Sequence, residues 1–473
     1  MFLTLMAKTW GNALAQPAVE FDATPLVVLE GVIPPDLRGT LYHNGPARLE
    51  RGGQRVGHWF DGDGAILAVQ FQDGRAVGTY RYVQTAGYQQ EQGADRLLFG
   101  NYGMTHPGPL WQRWGKSLKN VANTAVLALD DRLLALWEGG LPHGLDRQTL
   151  STHGLDLLGL QPQDSYSAHP KVDPHSGQIY NFGVSLGAQA QINLYRHDRQ
   201  GHLLQRASIP LTGLGMPLIH DFVLAGDYLV VCIAPVRLNL WPAALQLRSF
   251  SESLEWKPQL GTEVVVIDRH SLTLVSRRTA DPWFQWHYSN GWVNGAGHVV
   301  LDLVRYEDFQ TNQYLKEVAT GQVNTVVLGN LWRMVLDPTT AQILDSQPLT
   351  TGGVEFPQVS PQAVGQAPGG ADDRGTVFVH HRPHQDAQGE LFGAIGHLDP
   401  SGQVTVTDLG GDRYPFEPIW ADRWVLTVVF NGSTGQSEVW VWDGDRPGSD
   451  PHCRLHLPQI IPLGFHGTWA ALT

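Results

Sequence analysis

Four histidines, His169, His220, His287 and His466, each stand beside a strand-like run and are separated by 51, 67 and 179 residues. Imidazole nitrogen ligates iron, copper, zinc and nickel alike, so four that converge would hold one ion without identifying it. None of the spacings is that of a local site: no histidine pair at i and i+4 on a helix, and no Cys-x-x-Cys knuckle, joins them. A zinc ion with four histidines is a closed tetrahedron, whereas an octahedral ion keeps two positions open for dioxygen or water. Neutral imidazoles leave the charge of the cation uncompensated. Carboxylates on the outward ring nitrogens are the usual remedy, because they fix the tautomer and raise ligand basicity. Glu138 in Leu134-Ala-Leu-Trp-Glu138, Glu355 in Gly353-Val-Glu355-Phe-Pro357 and Glu417 in Tyr414-Pro-Phe-Glu417-Pro-Ile-Trp420 suit that role. A carboxylate in such apolar surroundings needs a partner.

Only a closed, radially arranged fold brings side chains so distant together, and the elements that would do it are strands. The 53 glycines, 30 prolines and 16 tryptophans accompany short runs such as Thr262-Glu-Val-Val-Val-Ile267, Gly375-Thr-Val-Phe-Val-His380 and Arg423-Trp-Val-Leu-Thr-Val-Val-Phe430. Turns such as Asp61-Gly-Asp-Gly64, Asp173-Pro-His-Ser-Gly177 and Asp399-Pro-Ser-Gly402 bound them, and long amphipathic helices are nearly absent. Strand and turn alternate without a strict sequence period. Seven units of roughly 68 residues would fill 473, a comfortable length for a four-stranded propeller blade with an insertion. Barrels and sandwiches fit the same pattern. The expectation is an all-β chain in which residues 1–473 form one unit, with an apolar N-terminal extension over 1–29 that could face a membrane. On a propeller the four histidines fall near inner strand ends of different blades.

Other functions are excluded or narrowed by composition. A net charge of -13 with no long basic tract argues against a nucleic-acid partner. Cys232 and Cys453 sit in apolar runs and offer no disulfide framework, which points to a reducing, cytoplasmic compartment. No run of about 18 apolar residues occurs, and Met1 to Trp10 lacks the basic start of a signal peptide. Leu238, Leu240, Trp241, Leu245 and Phe250, flanked by Arg237 and Arg248, could rest in a membrane interface or pack as a loop over the propeller face. No glycine-rich segment follows a strand and opens a helix, so no phosphate loop is expected. His43 and His58 read as structural, and Asp61 and Asp63 as turn formers.

Arg38-Gly-Thr-Leu-Tyr-His-Asn-Gly-Pro46, Trp59-Phe-Asp-Gly-Asp-Gly64, Ala168-His-Pro-Lys-Val-Asp-Pro174, Ile219-His-Asp-Phe222, Val354-Glu-Phe-Pro357 and Pro462-Leu-Gly-Phe-His-Gly-Thr-Trp469 stand in one order along nearly the whole chain. This set resembles the motifs of the carotenoid cleavage oxygenases. The resemblance implies a seven-bladed β-propeller, capped by a dome of loops and short helices over the metal face, with Fe(II) held by His169, His220, His287 and His466. It makes Glu138, Glu355 and Glu417 the carboxylate partners of His220, His287 and His466 respectively, and leaves His169 without one. Two departures, Ala225-Gly226 after the His-Asp-Phe stretch and Asn294 at the end of the third stretch, touch no implied ligand.

By the same resemblance, to its bacterial branch, the chain is a monomeric dioxygenase that uses O2 to split a conjugated double bond of an apocarotenoid into two carbonyl products, a retinal-type aldehyde among them. The ion would carry the redox chemistry while aromatic and aliphatic walls hold the polyene. Peripheral contact with a membrane would let an apolar substrate enter without crossing water. Two other readings are kept open. A stilbene-cleaving relative would need a Tyr and Lys pair that binds a phenol. A propeller that only binds proteins would keep its axis free of metal.

Overall fold

Strands that are apolar on both faces must be covered on both, and strands that alternate can face water on one; that gradient runs outward along each sheet here. The inner Val223–Ala225 is wholly buried, whereas the outer Leu203–Pro210 alternates between half-buried and exposed positions along most of its length. In the computed structural model, which describes residues 8–186, 189–213, 215–370, 373–385 and 387–472, antiparallel sheets of this kind form a seven-bladed propeller.

Ordered around the axis, the innermost strands are Gly467–Ala471 in blade I, Ala125–Ala128 in II, Lys171–Val172 in III and Val223–Ala225 in IV. Tyr288–Val293 in V, Val354–Val359 in VI and Ile419–Ala421 in VII complete the ring. Blades IV and V touch through the parallel pair Ala225 and Gly291, so the two sheets read as one of eight strands. Both chain ends lock the ring. Gly467–Ala471 pairs with Gly39–Arg48 of the first blade, with Tyr42 opposite Thr468, and Val27–Gly31 pairs with Cys453–His456 of the last. A propeller closed in this way leaves only short, protected edges.

The expected turns are built as their composition requires. Asp399 Oδ1 accepts the backbone N–H groups of Ser401 and Gln403, each at 2.9 Å, and Asp173 Oδ1 accepts that of His175 at 3.2 Å. The helices are short: Ala86–Ala94, Leu240–Ala244 and Thr311–Val318. With the small sheet of Met216–Pro217, Val236–Leu238 and Leu254–Trp256 they cover the face toward which the four histidines point.

Several sequence expectations need correction. Residues 8–29 are woven into the propeller: Trp10 is fully buried, its indole N–H donates to the Gly389 carbonyl at 3.0 Å, and Phe21–Pro25 is the outer strand of blade I. The apolar Met1 to Ala7 lies outside the described residues. Leu238 is buried, because it belongs to the small sheet opposite Leu254, and cannot touch a membrane.

Asp61 and Asp63 do more than turn the chain. Asp61 is buried and its Oδ1 accepts the Gly103 N–H at 2.9 Å; burial pushes its pKa up to about 7 against the pull of backbone N–H groups and Lys119. Asp63 meets Arg51 at 2.9 Å and also Lys119, whose ammonium lies 2.6 Å from Glu91, in a network of four buried charges. Such groups are buried only when paired. His58 is structural: its Nδ1 accepts the Phe60 N–H at 3.1 Å. His43 is buried against the Phe416 ring.

Candidate metal centre

Each blade delivers one residue to the axis. In ring order these are His466, Glu138, His169, His220, His287, Glu355 and Glu417. His287 and His466 immediately precede the inner strands of their blades, while His169, His220 and Glu417 stand two or three residues before theirs. Glu355 is the second residue of its inner strand, and Glu138 follows Leu133–Leu136, the antiparallel neighbour of an inner strand. Inner strands all start on the same face of a propeller, so their first residues meet above the axis. This is why ligands scattered over 297 residues can share one point.

The ring centroids of His169 lie 4.3 Å from His220, 5.3 Å from His287 and 4.7 Å from His466, and those of His287 and His466 are 4.8 Å apart. The outward nitrogens find the expected carboxylates. His287 Nδ1 is 2.5 Å from Glu355 Oε2, His466 Nδ1 is 2.8 Å from Glu417 Oε1, and His220 Nδ1 meets Glu138 Oε1. His169 has no carboxylate of its own; its Nε2 is 3.7 Å from Glu138 Oε1 and has no hydrogen-bond partner.

Electrostatics decide which nitrogens carry protons. Burial, the largest influence on Glu355, would raise its pKa, but His287, the Tyr306 hydroxyl and the Phe356 N–H outweigh it and the group stays below the usual carboxylate range. Glu417 is likewise held low by His466, the Gly467 N–H and His43 against its burial. An ionised carboxylate only accepts, so the facing Nδ1 must donate, and Nε2 is left with its lone pair.

His220 Nε2 and His287 Nε2 stand 3.2 Å apart. Two ligands of one ion at right angles, with bonds of ~2.1 Å, are separated by about 3 Å. His169 is kept neutral as well: burial first, then the neighbouring imidazoles and Lys171, hold its pKa well below the ordinary value. Converging imidazole nitrogens and a buried orphan nitrogen are a donor set that suits a divalent metal ion.

A cavity of about 590 Å³ opens onto His220, His287 and His466. Phe60, Tyr102, Trp286, Phe356, Phe416 and Phe465 supply its aromatic wall. Phe356 lies almost parallel to His287 at 5.3 Å and does so from a left-handed backbone, φ 52°, at an irregularity in the strand between Glu355 and Gln358. A bulky residue held there costs about 1–3 kcal/mol, a strain found where surroundings over-determine a site.

Sequence reasoning missed several supports. Tyr306 donates to Glu355 Oε1 at 2.6 Å, and the Gln358 amide donates to Glu417 Oε1 at 2.6 Å. It also missed Trp111 and Trp114, which are strongly exposed, as are Trp241 and Leu247. The Trp114 indole donates to the Leu245 carbonyl at 3.1 Å and joins the two loops; the adjacent Leu118 and Phe250 line the cavity. Phe250, half-buried against Tyr102, belongs to the cavity wall rather than to the exposed patch.

The family described as retinal pigment epithelial membrane protein matches residues 14–471. Apocarotenoid-15,15'-oxygenase of Synechocystis is 31% identical over 93% of this chain and 92% of its own length. The chain belongs to the carotenoid oxygenase family. Resveratrol cleavage oxygenase 1 of Aspergillus fumigatus is 27% identical over 95% of this chain and 93% of that protein. The crystal structure of the cobalt-substituted Synechocystis enzyme superposes with a TM-score of 0.87 at 30% identity, covering 98% of each chain. A donor set of four imidazoles and an apolar cavity suit a metal-dependent oxygenase of this family. Among the described residues no helix is long and apolar enough to cross a membrane.

Proposed function

We propose that the protein is a non-haem Fe(II) dioxygenase that cleaves a conjugated double bond of an apocarotenoid into two carbonyl products, one of them a retinal-type aldehyde. The observation that carries this reading is the gathering of four imidazole rings, three of which, His220, His287 and His466, line an aromatic cavity. His169, His220, His287 and His466 would hold the ion, and Glu138, Glu355 and Glu417 would keep the rings oriented and basic. Iron(II), when bound, supplies the capacity to bind dioxygen and pass electrons to it.

The chain's own residues position and shield. Phe60, Trp286, Phe356 and Phe465 give a polyene flat walls and exclude water from the reacting bond. Both atoms of O2 end in the products, one on each former alkene carbon, so no proton has to be delivered and no side chain need act as an acid. The Tyr306 hydroxyl is already committed to Glu355.

A polyene partitions into bilayers, and the exposed Trp111, Trp114, Leu240, Trp241, Leu245 and Leu247 would rest on one, with Leu118 and Phe250 leading inward. The similarity to a resveratrol oxygenase keeps stilbenes in view. Among the described residues, however, no lysine lines the cavity to pair with a tyrosine on a phenol.

Incubation of iron-loaded protein with apocarotenals under ¹⁸O2 should yield two aldehydes, each carrying the label. Absence of turnover with apocarotenals, together with cleavage of hydroxystilbenes, would move the protein to the other branch. His220→Ala and His466→Ala should each lose bound iron; full iron content in both would reject the proposed centre.

A further inference from the structure

Asp221 is fully buried next to His220, yet none of the roles above uses it. Its Oδ1 lies 2.8 Å from Lys171 Nζ and accepts the Phe222 N–H at 2.7 Å. Its Oδ2 accepts the Tyr288 N–H at 3.0 Å. Lys171 stands two residues after His169, Phe222 two after His220, and Tyr288 one after His287. One carboxylate thus ties the segments that carry three of the four histidines, from blades III, IV and V.

We propose that Asp221, with Lys171 as its counter-charge, is a positioning residue that sets the spacing of His169, His220 and His287 for the metal. The inference rests on the reading that these rings hold the ion. Among the described residues the three blades share no continuous sheet except the single parallel contact of Ala225 and Gly291; the apolar clusters packed between them are non-directional, whereas hydrogen bonds across the gaps fix a height. A carboxylate suits the task. It has acceptor sites for two N–H groups and an ammonium at once, and charge-assisted hydrogen bonds are shorter and stronger than neutral ones.

The same device closes the other side of the ring. Glu417 Oε2 accepts the Gly467 N–H at 2.8 Å, again the residue one past a histidine. Ser167 completes the lattice: its hydroxyl donates to the His220 carbonyl at 3.2 Å and accepts the His169 N–H at 3.1 Å. The difference is that Glu417 also touches its ring, whereas Asp221 acts only through the backbone and Lys171.

Asp221→Asn keeps the volume and one acceptor oxygen but loses the charge, and Lys171→Met removes the partner while keeping the stem. Full-length protein stripped of metal is titrated with Co(II), reading the chelator-competed affinity, the visible ligand-field spectrum and the rise in Tm that the metal produces. Wild-type binding of about one Co(II) per chain is the control; if it fails, the proposed metal centre fails, not this inference.

The expected result is a 10- to 100-fold loss of affinity in Asp221→Asn with a shifted Co(II) spectrum and a smaller metal-induced rise in Tm. Lys171→Met should give a lesser loss, and the double variant no more than Asp221→Asn alone. If affinity and spectrum stay at wild-type values, Asp221 does not position the ligands. If only the Tm of the metal-free protein falls while the metal-induced rise is unchanged, its role is general packing and the inference is overturned. Should Asp221→Asn not fold, an unchanged Co(II) affinity and spectrum in Lys171→Met overturns it.

Discussion

At the scale of single residues, Glu355 and Glu417 accept from the outer nitrogens of His287 and His466, which leaves the inner nitrogens of those rings with their lone pairs, and Glu138 lies against His220 Nδ1. Glu355 has the most to lose, because its two oxygens serve His287, Tyr306 and the Phe356 N–H together. Glu355→Gln replaces one acceptor with a donor facing a donor. Iron affinity or turnover should fall roughly 10- to 100-fold while the circular dichroism spectrum is unchanged. Equal iron content and equal rate in that variant would show that the carboxylate does not support the ligand. Tyr306→Phe removes only one hydrogen bond to the same group and should cost less than Glu355→Gln, measured as metal affinity by chelator competition.

At the scale of elements, the dome is fastened to the propeller by buried charge. The short helix Trp59–Asp61 puts Phe60 into the cavity wall and Asp61 behind it, against the turn that carries Tyr102. Asp61 has a folded pKa of about 7, raised by burial above the unfolded carboxylate value. The folded chain therefore binds more protons than the unfolded one between those values, so stability falls as pH rises from about 4 toward 7, by an amount on the order of a few kcal/mol, and stays lower above it. Asp61→Asn should flatten that segment of the curve and gain stability relative to wild type at pH 8. Thermal unfolding of both metal-free proteins at pH 5 and pH 8 is the check, and an identical change in the two proteins would rule the account out.

At the scale of the whole molecule, closure of the ring and binding at the axis are one event, because His466 immediately precedes the strand that completes blade I. A metal ion that binds only the closed ring stabilises it by mass action. Removal of the metal with a chelator should lower Tm, and restoring Fe(II) should recover it; no change in Tm would mean that the ion does not bridge the blades. The exposed tryptophans belong to this scale too, since Trp114 meets Leu245, in the segment that carries Trp241 and over 120 residues further along the chain, only after folding. Replacing Trp111 and Trp241 with Ser should reduce sedimentation with liposomes several-fold without changing metal content. Equal sedimentation would remove the membrane contact.

Residue type and local pattern marked His169, His220, His287 and His466 and the three glutamates as candidates, while the ordered motifs of the family resemblance joined them into one set. Strand content and turns were readable because periodicity and Asp-Gly or Asp-Pro chemistry act over a few residues. What depended on tertiary structure was everything that needs two distant segments. Trp10 reads as a membrane anchor but is core because residue 389 receives its indole N–H, and Asp63 reads as a turn but is an ion pair because Arg51 and Lys119 fold onto it. Asp221 joins three ligand segments across blades, an arrangement no local window contains. Short-range preferences are written in neighbouring residues, whereas burial and pairing are properties of the closed ring.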